Sequence, residues 1–242
     1  MKRIIESSRS VVVAADVPNL TALDFLAQNM KDISGIGGFK LGSVIGLEGL
    51  SWGVRKVREH LGARFPVIYD HQKGATDIPV MGKPFVEALK SAGVNAAILF
   101  PLTGPETQEA WMRACRDVEL DVIVGGMMTH PQFLVSEGGY IADEAPERIY
   151  RMACQYGVTN FVVPGTKLDW VTRIRGWLVQ EIGEGNFVLW APGFVTQGGD
   201  ISECGQAAGD EWHAIVGSGI YKFKTRDEQR QAAFTLVSKI AA

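Results

Sequence analysis

Short apolar runs rich in Val, Ile, Phe and Leu recur along the chain at 11–15, 38–41, 66–69, 96–100, 121–124, 160–163, 187–190 and 214–216. Each has the length and composition of a buried strand. The segments between them carry apolar residues at steps of three and four. Leu23, Leu26, Met30 and Ile33 form the first such set, with Thr21 and Asp24 in capping-box positions. Leu47, Leu50, Val54, Val57 and Leu61 form the second, closed by Gly62 as the residue that ends a helix. A third helix is predicted through Phe85, Leu89 and Ala92, stopping at Gly93. Pro105 and Pro146 are placed to open a fourth and a fifth helix, which bury Trp111, Ala114, Cys115 and Val118, then Ile149, Met152, Ala153 and Tyr156. Leu168, Val171, Ile174 and Leu178 make a sixth. A short helix at 201–208 and a last one through Ala232, Ala233, Leu236, Val237 and Ile240 follow.

Eight strand-like runs alternating with eight helical segments predict an α/β protein, a (β/α)₈ TIM barrel occupying 1–242 as a single domain. An open doubly wound sheet ranks second, because no G-x-G-x-x-G follows the first strand. The 46% hydrophobic content of the 242 residues is enough for a sizeable core. A formal net charge of -3 gives no basic face for a nucleic-acid polymer. Cys115, Cys154 and Cys204 are odd in number and never form a C-x-x-C pair, which fits reduced packing residues. The start of the chain reaches Glu6, Ser7, Ser8 and Arg9 before apolar residues accumulate, and no run approaches a membrane span. A cytoplasmic protein with no signal peptide or membrane anchor is therefore expected.

In such a barrel the loops after the strands gather at one face, where active sites are built. Asp16 follows the first strand and Lys40 lies on the second. Asp70, Lys73 and Asp77 follow the third, within Asp70-His71-Gln72-Lys73-Gly74-Ala75-Thr76-Asp77-Ile78-Pro79. Thr129 and His130 lie beyond the fifth strand, Pro192, Gln197, Gly198 and Gly199 beyond the seventh, and Gly217, Ser218 and Gly219 beyond the eighth. Taken alone, the Asp70 to Pro79 stretch reads as a loop with a Lys73/Asp77 ion pair. Acids and lysines alternating at one end of the barrel favour a catalytic site instead, since such charges are costly to bury without purpose. The glycine-rich loops after strands seven and eight occupy the usual phosphate site of the fold, and the helix beginning near Ile201 is expected to aim its positive end inward.

These pieces resemble the orotidine 5′-monophosphate decarboxylase family, in its archaeal form, over nearly the whole chain. The resemblance is carried by Ala15-Asp16-Val17-Pro18-Asn19, Phe39-Lys40-Leu41-Gly42, Asp70…Lys73…Asp77-Ile78-Pro79, Met128-Thr129-His130-Pro131, Ala191-Pro192-Gly193, Gln197-Gly198-Gly199-Asp200 and Val216-Gly217…Ile220-Tyr221. It implies cofactor-free loss of CO₂ from a 6-carboxypyrimidine nucleotide, with no metal and with Lys73 protonating the C6 carbanion. Asp70 would lie against the departing carboxylate, Lys40 would complete the charge array and contact ribose, and Asp16 would bind a ribose hydroxyl. Thr129 would hold the pyrimidine, and Gln197 would reach the phosphate. Pro192, Gly198, Gly217, Ser218 and Gly219 complete the expected substrate site. The resemblance also implies a homodimer with shared active sites, in which Asp77 serves the neighbouring subunit.

Three departures stand out. The family's array reads Asp-x-Lys-x-x-Asp, whereas this chain reads Asp-x-x-Lys-x-x-x-Asp. The family's phosphate-gripping arginine is Ser218 here, with Lys222 and Lys224 the nearest cations in sequence, and a threonine after Ile-Pro-x is Met81. Two other readings stay open. One is a Mg²⁺-dependent aldolase or decarboxylase acting on a sugar phosphate, with Asp70, His71 and Asp77 as ligands. The other is a nucleotide-binding protein without turnover.

Overall fold

The computed structural model describes residues 3–71 and 74–241. Eight parallel strands close into a barrel in chain order. They are β1 (Arg9–Ala15), β2 (Ile36–Gly42), β3 (Val67–Asp70), β4 (Ala96–Leu99), β5 (Asp121–Gly125), β6 (Asn160–Val162), β7 (Val188–Pro192) and β8 (Trp212–Val216). The helices between them are α1 (Leu20–Met30), α2 (Ser43–Leu61), α3 (Gly82–Ala92), α4 (Pro105–Asp117), α5 (Ala145–Gln155), α6 (Leu168–Ile182) and α7 (Ile201–Ala208); α8 (Ser218–Tyr221) and α9 (Arg226–Ala241) follow β8. The predicted (β/α)₈ barrel is what the chain forms.

Strand side chains alternate between two packed layers, as the two-residue period requires. Val12, Ala14, Ile68, Ile98, Ile123, Val162, Val188, Trp190 and Ile215 fill the barrel interior. Val11, Val13, Phe39, Leu41, Val67 and Tyr69 face outward, against helix residues such as Leu23, Leu26, Ile45 and Val54. The same alternation turns Lys40 inward between Phe39 and Leu41. The floor of the barrel is polar but paired. Ser10 Oγ lies 2.9 Å from His213 Nδ1, Trp190 stacks edge-on against His213, and the Trp190 indole N–H donates to Asn160 Oδ1 at 3.1 Å.

Four local expectations change. The cap of α1 is Asn19, whose side chain accepts from the Ala22 N–H at 2.9 Å, so Thr21 lies inside the first turn and Ile33 beyond the helix. Leu47 is 88% exposed: α2 is kinked at Gly49 (φ 146°), and only Ile45 is buried in the turns before the kink. Gly217-Ser218-Gly219 is no open loop, since Ser218 begins α8. The N-terminus of α7 is closed by its own Asp200, which accepts from the Ser202 and Glu203 N–H groups. No helix among the described residues is long and apolar enough to cross a membrane.

Candidate active site

A cavity of about 200 Å³ opens at the C-terminal ends of the strands. One wall carries its charge. Lys40, inward on β2, donates to Asp70 Oδ2 at 3.0 Å and to Asp16 Oδ1 at 3.2 Å. The Lys40 and Asp70 side chains are buried, each about 7% exposed, while Asp16 is half exposed at 49%. Burial works against the Lys40 ammonium, but the Asp70 and Asp16 carboxylates outweigh it and hold the lysine pKa above its ordinary value. Asp16 reaches Lys40 because β2 ends in a glycine. A Cβ on Gly42 would stand 2.7 Å from Asp16 Oδ1.

Apolar side chains of the inner layer, Ile98, Phe100, Val162 and Ile215, form the floor together with Met127. The opposite wall is polar and uncharged. Thr129 follows β5, Pro192 ends β7, Thr196 and Gln197 lie in the connection to α7, and Gly217, Ser218 and Tyr221 come from the end of β8 and α8. Asp16, Lys40, Asp70, Thr129, Pro192, Gln197, Gly217 and Ser218 are thus brought together as expected. Gly198 and Gly219 are not cavity residues. Gly198 lies exposed in the β7–α7 connection, and Gly219 faces a separate groove with Val195 and Lys222.

Lys73 lies outside the described residues, as does Gln72. The chain on either side of them is held by specific contacts. Before them, Tyr69 Oη lies 2.7 Å from His71 Nδ1, and both rings pack against Phe85. After them, the Phe100 N–H donates to the Gly74 carbonyl at 2.8 Å and Thr76 Oγ1 donates to the Phe100 carbonyl at 2.7 Å. Thr103 and Thr107 donate to the Asp77 carbonyl at 3.2 and 3.0 Å, and the Trp111 indole donates to the Ile78 carbonyl at 3.2 Å. Ala75, buried within this segment, takes a left-handed backbone (φ 62°). The lengthened β3–α3 connection is therefore anchored on the β4–α4 connection.

Asp77 does not line the cavity of its own chain. Its carboxylate accepts from the Ile78 N–H and is exposed, beside the exposed Ile78, Val80 and Met81. Asp70, His71 and Asp77 do not converge, and no group of three or more His, Cys, Asp or Glu among the described residues is arranged to hold a metal ion. Thr196 and Tyr221 also line the cavity, although sequence reasoning assigns neither a site role. Thr196 had a weak signal in its position next to Gln197, and Tyr221 in its place one turn after Gly217.

The comparisons with known proteins fall on the same fold. No family model matches the chain. Orotidine 5′-phosphate decarboxylase of Methanosarcina barkeri is 32% identical over 193 residues, 80% of this chain and 79% of that protein. The enzyme of the same name from Methanosarcina mazei is 29% identical over 239 residues, 98% of both chains. Among solved structures, orotidine 5′-monophosphate decarboxylase of Methanocaldococcus jannaschii, complexed with inhibitor BMP, superposes with a TM-score of 0.81 at 18% identity, covering 97% of this chain and 99% of that one. The Pyrococcus horikoshii enzyme superposes with a TM-score of 0.75 at 25% identity, over 96% of this chain and all of that one. By its sequence likeness across four-fifths of its length, the chain belongs to the orotidine 5′-phosphate decarboxylase family.

Proposed function

We propose that the protein converts orotidine 5′-monophosphate to UMP, the decarboxylation step of pyrimidine biosynthesis, without a cofactor. The observation that carries this reading is the Asp16–Lys40–Asp70 array at the mouth of the barrel, its lysine and Asp70 buried, in a chain 32% identical to a relative of that name. In the reaction the bond between C6 and the carboxylate breaks, CO₂ leaves, and the electron pair stays on C6. Lys73 then transfers an ammonium proton to C6, and solvent reprotonates the amine.

The role of the fixed charges follows from electrostatics. A carboxylate at Asp70 disfavours the substrate carboxylate in the ground state and loses that repulsion as CO₂ departs. An ammonium array stabilises the negative charge that grows at C6, and it does so most strongly in a site that excludes water. Lys40 is held charged by two acids, so it is a permanent part of that field. The apolar floor suits the face of a planar pyrimidine, with Thr129 as its polar partner and Asp16 within reach of ribose hydroxyls.

The dimer belongs to the same proposal. Asp77 is exposed and stands beside an apolar strip in which Ile78 is 58% and Val80 70% exposed. A second copy covering that strip would bring Asp77 to the partner's cavity and complete the charge array there. A Lys73→Ala variant tests the chemistry. It is expected to fold as the native chain does, judged by circular dichroism, and to lose essentially all turnover of orotidine 5′-monophosphate; substantial remaining turnover would contradict the assigned role.

A further inference from the structure

The charges lining the cavity among the described residues, Asp16, Lys40 and Asp70, all lie on the β1–β3 wall. The opposite wall, where the fold usually receives phosphate, has no cation among those residues. Ser218 stands where the family's arginine would be. Lys222 lies outside the cavity, its ammonium 5.4 Å from the Phe223 ring centre, and Lys224 is exposed. Yet the β7–α7 connection is docked onto this wall. Thr196 Oγ1 and Ser218 Oγ form a close hydrogen bond. The residue before, Val195, holds a left-handed backbone (φ 68°), which a β-branched residue adopts only when its surroundings enforce it. Its side chain packs against Gly219, where a Cβ would stand 2.9 Å from Val195 Cγ2. Two adjacent residues of the connection thus seat on two adjacent residues of α8.

We propose that Thr196 and Ser218 form a hydroxyl latch, which ties the β7–α7 connection over the cavity and grips the substrate phosphate with neutral donors in place of a cation. The inference rests on the function proposed above. Its chemistry follows from the inventory of a hydroxyl pair. The pair spends one O–H on its internal bond and keeps the other to donate outward, while the Gln197 amide adds N–H donors beside it. Such bonds gain strength against a dianionic acceptor. Substrate phosphate and loop closure then share one contact, so binding at the phosphate end helps hold the lid down.

The test compares orotidine 5′-monophosphate with orotidine, which differs only in lacking phosphate, and measures UMP and uridine binding by calorimetry. Thr196→Val keeps the side-chain shape and removes the hydroxyl. It is expected to reduce the preference for the phosphorylated substrate about tenfold or more, chiefly through KM, with the same loss in UMP over uridine affinity. Thr196→Ser should restore the preference, and adding Ser218→Ala to Thr196→Val should cost less than the product of the single effects. Equal losses on both substrates, or no loss on either, in a native background that turns over orotidine 5′-monophosphate would overturn the latch alone. Native protein that neither turns over that nucleotide nor binds UMP would overturn the function together with the latch.

Discussion

Lys40 sits on a strand whose neighbours, Phe39 and Leu41, pack against helices, and that alternation sends its ammonium into the barrel. Its position between two carboxylates raises its pKa, so it stays charged through the whole physiological range. The sign of the linkage follows. The stability that Lys40 contributes is present below the unfolded lysine value and is lost only as the pH rises through the higher folded one. His213 behaves in the opposite sense. Burial, aided by the Arg3 charge, pushes its pKa down to about 3, so the folded state keeps a neutral ring while the unfolded state takes up a proton near 6.5. Stability is therefore expected to fall as the pH drops from 6.5 toward 3, by up to about 1.4 kcal/mol per unit from this residue. Denaturant midpoints measured across that range check it, and His213→Asn, which cannot titrate, should show a shallower acid limb. An unchanged acid limb would mean that His213 does not govern it.

Among the elements, the β3–α3 connection matters most, because it leaves β3 at Asp70 and carries Lys73 and Asp77. Its anchor is a set of threonine hydroxyls bonded to backbone carbonyls. Thr76→Val removes the bond to the Phe100 carbonyl, which is worth about 1 kcal/mol to the fold. If the connection positions the catalytic lysine, the effect on kcat is much larger, about 10²-fold for a displacement near 1 Å. Thermal melts and steady-state kinetics on the same preparation separate the two; a loss of kcat no larger than the small loss of stability would contradict the positioning role. This anchoring was not legible beforehand. Thr103 and Thr107 belong to the next βα unit, and nothing in the local pattern links them to Asp77. The caps misled for a similar reason. Thr21 satisfied a spacing rule, but Asn19 after Pro18 has the extended backbone and the side-chain carbonyl that accepts from the α1 N-terminus. The helical period also placed Leu47 on a buried face, whereas the kink at Gly49 breaks the periodicity on which that reading depended.

At the scale of the whole molecule, the barrel was the most legible feature, because each βα unit repeats the same apolar signature and the closed topology follows from their number. The same regularity located the site. Charged residues at strand ends share one face whichever loop carries them, so Asp16, Lys40 and Asp70 were predicted neighbours before any distance was known. Asp77 is different, since its proposed partner is another copy of the chain. Co-expressed Lys40→Ala and Asp77→Asn chains test that assignment. Each homodimer is expected to be nearly inactive, while the mixed population should recover about a quarter of native activity, because half of the dimers carry one intact shared site. No recovery in a verified heterodimer would contradict site sharing.

The central claim is decarboxylation by the chain's own side chains. It is tested most directly by following the absorbance of orotidine 5′-monophosphate after adding the purified protein in the presence of EDTA. The account predicts rapid loss of the substrate band with formation of UMP. No change with folded protein, or activity that appears only when Mg²⁺ is restored, would contradict it.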